Sequence, residues 1–275
     1  MDPPLGIAVA TAAALSFAAG DFSGAVVSRR VTPVSAALSV QVISAAGLAV
    51  LLVVSAAPMT PAAVVTGWLA GLAVATGLFA LYVAMASGAI GVVAVVTGVA
   101  ATSLALGFDG IAGGRVPSVL QLLGIGCALA GAGFSARLGT VSARVALLSL
   151  IAGIAFGSSF ILYNRASGES PVAVLFNARL SATLLLGAVW LASTPRRLTL
   201  RPLIGLAGIL DTLANGLMLV AVTLTPVSLA TAITSAEPPV IVMLLARGVL
   251  GEALPGTAYR AIGLGSIGIA LMLLG

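Results

Sequence analysis

The chain has no histidine, no lysine and a single cysteine among its 275 residues. Without histidine it has no standard zinc site, no Ser-His dyad and no histidine-ligated haem. Without lysine it lacks the phosphate-cradling loop of an ATP-driven pump, so it is not such a pump by itself. Cys127 can form no intramolecular disulfide. Charge is equally scarce: 7% of residues are charged, and all twelve basic residues are arginines. These arginines mostly flank apolar segments instead of forming a basic stripe, so the formal net charge of +5 leaves no nucleic-acid footprint. Asp21, Asp109 and Asp211 stand in no recognisable aspartyl-protease context. No enzyme, cofactor or metal is expected.

What the chain has in excess is hydrocarbon. Hydrophobic residues make up 60% of it and the mean hydropathy is +1.24, which is the composition of a multi-pass membrane protein. Ten apolar segments can be drawn, at 5–27, 33–55, 62–86, 89–108, 117–135, 142–163, 171–192, 200–224, 227–248 and 257–275. Each has roughly the 20 residues that cross about 30 Å of hydrocarbon as a helix. Pro33, Pro61, Pro117, Pro171, Pro202 and Pro226 fall at or near segment starts, where a missing N–H costs a helix little. If the segments alternate across the membrane, nine arginines lie at one face, Arg115 and Arg165 at the other, and Arg179 within a span. The positive-inside rule then puts both termini outside, in a plasma (inner) membrane. The first segment follows Asp2 and no basic residue, so it reads as a helix and not a signal peptide.

An internal repeat has a period near 137 or 138 residues: Pro33 maps to Pro171, Phe22 to Phe160, Ala84 to Ala221 and Thr97 to Thr234. Units 1–138 and 139–275 each hold five segments, an odd number, so the second enters the membrane inverted. The expected fold is an all-α integral membrane bundle of ten transmembrane helices, built as two inverted five-helix repeats. Such repeats place a substrate site near the midplane and give alternating access.

Three ionisable residues fall at mid-membrane depth: Arg179, Asp211 and Glu237. Groups of this kind are expensive in hydrocarbon and mark cavities or pathways. Two carboxylates and one arginine can hold one net negative charge, accept a substrate ammonium or load a proton. Arg179 can instead offer a bidentate fork to a substrate carboxylate, or pair with Asp211 or Glu237 merely to lock helix packing. Asn215, four residues after Asp211, shares its helical face. Asp21 lies toward the cytoplasmic end of the first segment, where a helix-end role competes with a site role. Tyr82 and Tyr163 offer hydroxyls, and Phe79, Phe160 and Phe176 offer ring faces, to a substrate or to packing. Pro238 and Pro239 free backbone carbonyls within the membrane, for a gating kink or a static bend. Gly20/Gly24, Gly67/Gly71 and Gly153/Gly157 have the spacing of close helix contacts.

The second half carries Glu237-Pro238-Pro239, then Gly251-Glu252, then a last segment with Gly263, Gly265 and Gly268; Gly157, Phe160 and Arg179 precede them. In this order the residues resemble the ten-helix EamA-type branch of the drug/metabolite transporter superfamily. The first half departs from that pattern, with Gln41 where Arg179 would map and Arg115 where Glu252 would. The resemblance implies a metabolite transporter, commonly an exporter of amino acids or similar compounds. Its expected partners are a small-molecule substrate and the lipid bilayer, with proton coupling open. A multidrug exporter of lipophilic cations and a non-transporting membrane scaffold stand as alternatives.

Overall fold

The structure, a computed structural model, describes residues 3–87, 90–113, 118–120, 122–124, 126–127, 130, 142–193, 202–235, 248 and 256–274. Among these residues the only regular structure is helix. The helices are α1 (Pro3–Ser28), α2 (Pro33–Ser55), α3 (Pro61–Met85), α4 (Ile90–Gly113), α5 (Ala143–Arg165), α6 (Pro171–Ala192), α7 (Pro202–Leu224) and α8 (Gly256–Leu274). Residues 227–235, between α7 and α8, are also helical. Seven of these elements, α1 to α7, are long and apolar enough to cross a membrane.

Local chemistry sets the ends. Pro33, Pro61 and Pro171 occupy the first turns of α2, α3 and α6. Thr32, Thr60 and Ser142 accept the N–H groups of Ser35, Ala63 and Val145, which would otherwise be orphaned at the starts of α2, α3 and α5. At the close of α2, Ala56 adopts the left-handed conformation at φ 46° and donates its N–H to the Val53 carbonyl. Thr60 also donates its hydroxyl to the Glu169 carboxylate, tying the α2–α3 turn to the α5–α6 turn.

A cap from another helix starts the segment at 227–235. After the Thr225-Pro226 turn, Asp109 near the end of α4 accepts the Ser228 N–H at 2.7 Å. Asp109→Ala is expected to lower stability by about 1 kcal/mol, the usual value of an N-cap side chain. An unchanged melting curve for that variant would deny the cap any weight.

The bundle is apolar outside and largely apolar inside, with several polar side chains kept in the interior. Val53, Val54, Ile209 and Leu147 face outward, as lipid contact requires, whereas Gln41, Arg179, Asn177, Asn215 and several serines are buried. The main packing partners are α1 with α7, α3 with both α5 and α6, α4 with α5, and α2 with α6. Small residues make these contacts close. An added Cβ on Gly67 or Gly71 of α3 would lie 2.6 Å or less from backbone of α6, and one on Gly153 of α5 would lie 2.3 Å from the Thr97 carbonyl of α4.

Candidate functional site

At the centre of the bundle a chain of polar side chains joins four helices. Arg179 of α6 is fully buried. Its Nη2 lies 3.0 Å from Asp211 Oδ2 on α7, and its Nη1 donates to Gln41 Oε1 on α2 at 3.0 Å. Nη2 also points toward the Asp211 main-chain carbonyl at 3.4 Å. One turn along α7, Asn215 donates its Nδ2 to Asp211 Oδ1 at 3.1 Å and to the Asp211 carbonyl at 2.8 Å. The Asn215 Oδ1 accepts the Tyr163 hydroxyl of α5 at 3.2 Å. Asp211 is thus held at both oxygens, by arginine on one side and amide on the other. Burial of the carboxylate without such partners would be costly.

Beside this chain lies a cavity of about 70 Å³. Asp21 of α1 and Asp211 reach its wall, which is also lined by the rings of Phe17, Phe156 and Phe160 and by Thr97, Gly98, Thr234 and Ser235. Phe17 and Phe160 meet with ring centroids 6.0 Å apart, and Phe160 meets Tyr163 at 6.5 Å. Asp21 lies within electrostatic reach of Asp211, and both act on the Tyr82 hydroxyl. That hydroxyl fits against Gly24 of α1, where a Cβ would lie 1.9 Å from it.

The residues expected from the sequence therefore divide. Arg179, Asp211, Asn215 and Tyr163 come together in one network, and Asp21, Asp211 and Phe160 line the cavity. Arg179 and Asn215 stand behind Asp211, outside the cavity lining. Phe79 and Phe176 are partly buried packing residues in two different apolar clusters, and Tyr82 is fully buried. Glu237, Pro238 and Pro239 lie outside the described residues. Phe17, Phe156 and Ser235 were not singled out in the sequence, where a lone aromatic or hydroxyl among alanines carries no signal. Gln41 was legible only as the residue that the repeat aligns with Arg179.

Among the described residues no group of histidine, cysteine and carboxylate side chains could hold a metal ion. With the site in view, comparison with known proteins places its class. Residues 143–274 match the profile of the EamA-like transporter family, so the resemblance read from the sequence holds on independent comparison. The seven long apolar helices among the described residues are those of a multi-pass membrane protein, and the family that the chain's second half matches is one of transporters. A solved crystal structure whose description states no function shares the fold, with a TM-score of 0.69 over 98% of this chain and 97% of that chain, at 16% sequence identity. No curated protein matches.

Proposed function

We propose that the protein is a secondary transporter that exports small amine-bearing metabolites, amino acids and related compounds first among them, by alternating access around the central cavity. The observation that carries this reading is that residues one repeat apart touch each other. Gln41 and Arg179 differ by 138 positions and share a hydrogen bond. Gly98 and Ser235 differ by 137, and a Cβ on Gly98 would lie 2.8 Å from the Ser235 Cβ. Under a two-fold relation between units, a residue can meet its own counterpart only near the axis. Two such contacts are what an axis of this kind would produce, and Gly98 and Ser235 also line the cavity.

Other pairs support the same relation between units 1–138 and 139–275, read as two inverted five-helix repeats. The α1–α7 and α3–α5 packings exchange under it, and both are extensive. Ser44 on α2 donates to the Gly208 carbonyl on α7, and Ser181 on α6 donates to the Trp68 carbonyl on α3, so each unit clamps the other by a serine. Inverted repeats of this kind allow the two units to trade conformations, opening the cavity to one face and then to the other.

The arginine distribution supports an orientation with both termini outside, in what we take to be a plasma (inner) membrane. A second reading, export of lipophilic cations, draws on Phe17, Phe156 and Phe160 at the wall. The cavity of about 70 Å³ favours small substrates over it, because drug-sized ligands occupy pockets of roughly 300–1,000 Å³. The test is flux of labelled amino acids and amines into liposomes carrying the purified protein, with and without an imposed pH gradient, beside empty vesicles. Protein-dependent flux is expected, and its response to the gradient separates proton antiport from facilitated diffusion. Flux no greater than in empty vesicles for every amino acid and amine would sink the proposal.

A further inference from the structure

We infer that Asp21 and Ser235 form an ammonium-binding end of the cavity, and that the site recognises the amino group of its ligand and not a carboxylate. This rests on the reading of the cavity as the transport site and narrows its substrate class to small amines, with amino acids entering through their amine alone.

The argument begins with which charges are spent. Asp211 engages Arg179 with one oxygen and Asn215 with the other. Arg179 is in turn held by Asp211 and Gln41 and is absent from the cavity wall. No cation at the wall is therefore left for a substrate carboxylate among the described residues. Asp21, by contrast, lines the cavity and makes no hydrogen bond or ion pair among the described residues. The next arginine in the sequence, Arg29, follows the end of α1, eight residues on and about 12 Å along the helix axis. Among the described residues, two carboxylates stand against one arginine at and behind the cavity wall.

Ser235 supplies an independent observation. It is only 6% exposed, it lines the same cavity, and its hydroxyl has no hydrogen-bond partner among the described residues. Thr97 and Thr234, its neighbours at the wall, are instead satisfied by the Ser149 and Ala230 carbonyls. A hydroxyl at the cavity wall can donate to a ligand or accept from it. A primary ammonium has three N–H donors, enough for the Asp21 carboxylate and the Ser235 oxygen. Phe17, Phe156 and Phe160 then face the substituent, with a ring face available to the cation as well.

The experiment uses the purified full-length protein and two matched ligand sets. One is isopentylamine, leucine and 4-methylpentanoate; the other is ethylamine, alanine and propionate. Affinities are measured by calorimetric titration for the wild type and for Asp21→Asn, Asp21→Glu and Ser235→Ala. In each set the amine is expected to bind at least tenfold more tightly than the acid. Asp21→Asn should weaken amine binding about tenfold or more, the usual weight of a hydrogen bond to a charged group. Asp21→Glu should retain most of it, and Ser235→Ala should lose roughly three- to fivefold. If Asp21→Asn fails to fold, as its melting curve will tell, Asp21→Glu and Ser235→Ala carry the test. An acid that binds as tightly as its amine, no amine binding, or amine binding indifferent to both positions overturns the inference. Flux separates the two claims: amine binding without liposome flux overturns the transport reading alone, and amino-acid flux unaffected by the Asp21 variants overturns this inference alone.

Discussion

Arg179→Ala is expected to leave an inserted protein that has lost about 3–5 kcal/mol of stability and most of its flux. The magnitude follows from what the substitution strands. Asp211 loses the cation 3.0 Å from its Oδ2, and Gln41 loses the donor 3.0 Å from its Oε1, both in the bundle interior. Removing one partner of a buried pair leaves an uncompensated charge, which costs far more than the intact pair contributes. Insertion should survive, because α6 keeps its apolar length without the arginine. A double-mutant cycle separates the pair from its surroundings. Asp211→Ala alone should also destabilise, yet the double variant should be closer to wild type than the sum of the singles predicts. Melting curves that add across the cycle would mean that the 3.0 Å contact carries no energy. The flux of the double variant carries the functional half of the prediction. If stability recovers and transport does not, Arg179 and Asp211 do more than lock helix packing.

The helices were largely legible in the sequence because a bilayer imposes a length and proline marks the starts. The expected segments at 33–55 and 171–192 coincide with α2 and α6, and the start of α3 differs from its expectation by one residue. The site was legible in depth but not in direction. Arg179 and Asp211 were placed at the same level from their positions along two spans, and the structure joins them. Which face of a helix meets a cavity could not be read, because these helices are apolar on every side. Lipid contact and helix contact select the same residue types, so periodicity separates them poorly. That is why Phe79 and Phe176 attracted the same attention as Phe160, which alone of the three reaches the cavity wall. It is also why the sequence leaves Asp21 between a helix-end role and a site role, whereas in the fold it lines the cavity. Gln41 carries a different lesson. Its mismatch with Arg179 looked like a departure from the repeat pattern, yet two arginines meeting near an axis would repel. An amide carbonyl facing the guanidinium resolves that conflict.

Gly71→Ala and Gly208→Ala are expected to behave differently although each adds one methyl between helices of opposite halves. On Gly71 the new Cβ would lie 2.0 Å from both the Ala178 carbonyl and the Ser181 hydroxyl. A helix carbonyl cannot swing aside, so α3 and α6 must separate, and the Ser181 bond to the Trp68 carbonyl stretches with them. Such overpacking costs about 1–3 kcal/mol and at times more; for a clash with backbone the upper end applies. On Gly208 the Cβ would lie 3.1 Å from the Val40 carbonyl and 3.0 Å from Ile43 Cγ2. A shift of a few tenths of an ångström accommodates that, so the melting temperature should barely change. The two seams thus hold corresponding helices at different tightness, α3 on α6 close and α2 on α7 looser. If transport trades the conformations of the two halves, the looser seam must close in the opposite-facing state. Gly208→Ala should then lose flux by about tenfold or more while remaining as stable as the wild type, because its methyl obstructs only the state that transport has yet to visit. Full flux in a stable Gly208→Ala protein would show that the α2–α7 seam does not tighten during the cycle, and the exchange of halves would have to be abandoned as the mechanism.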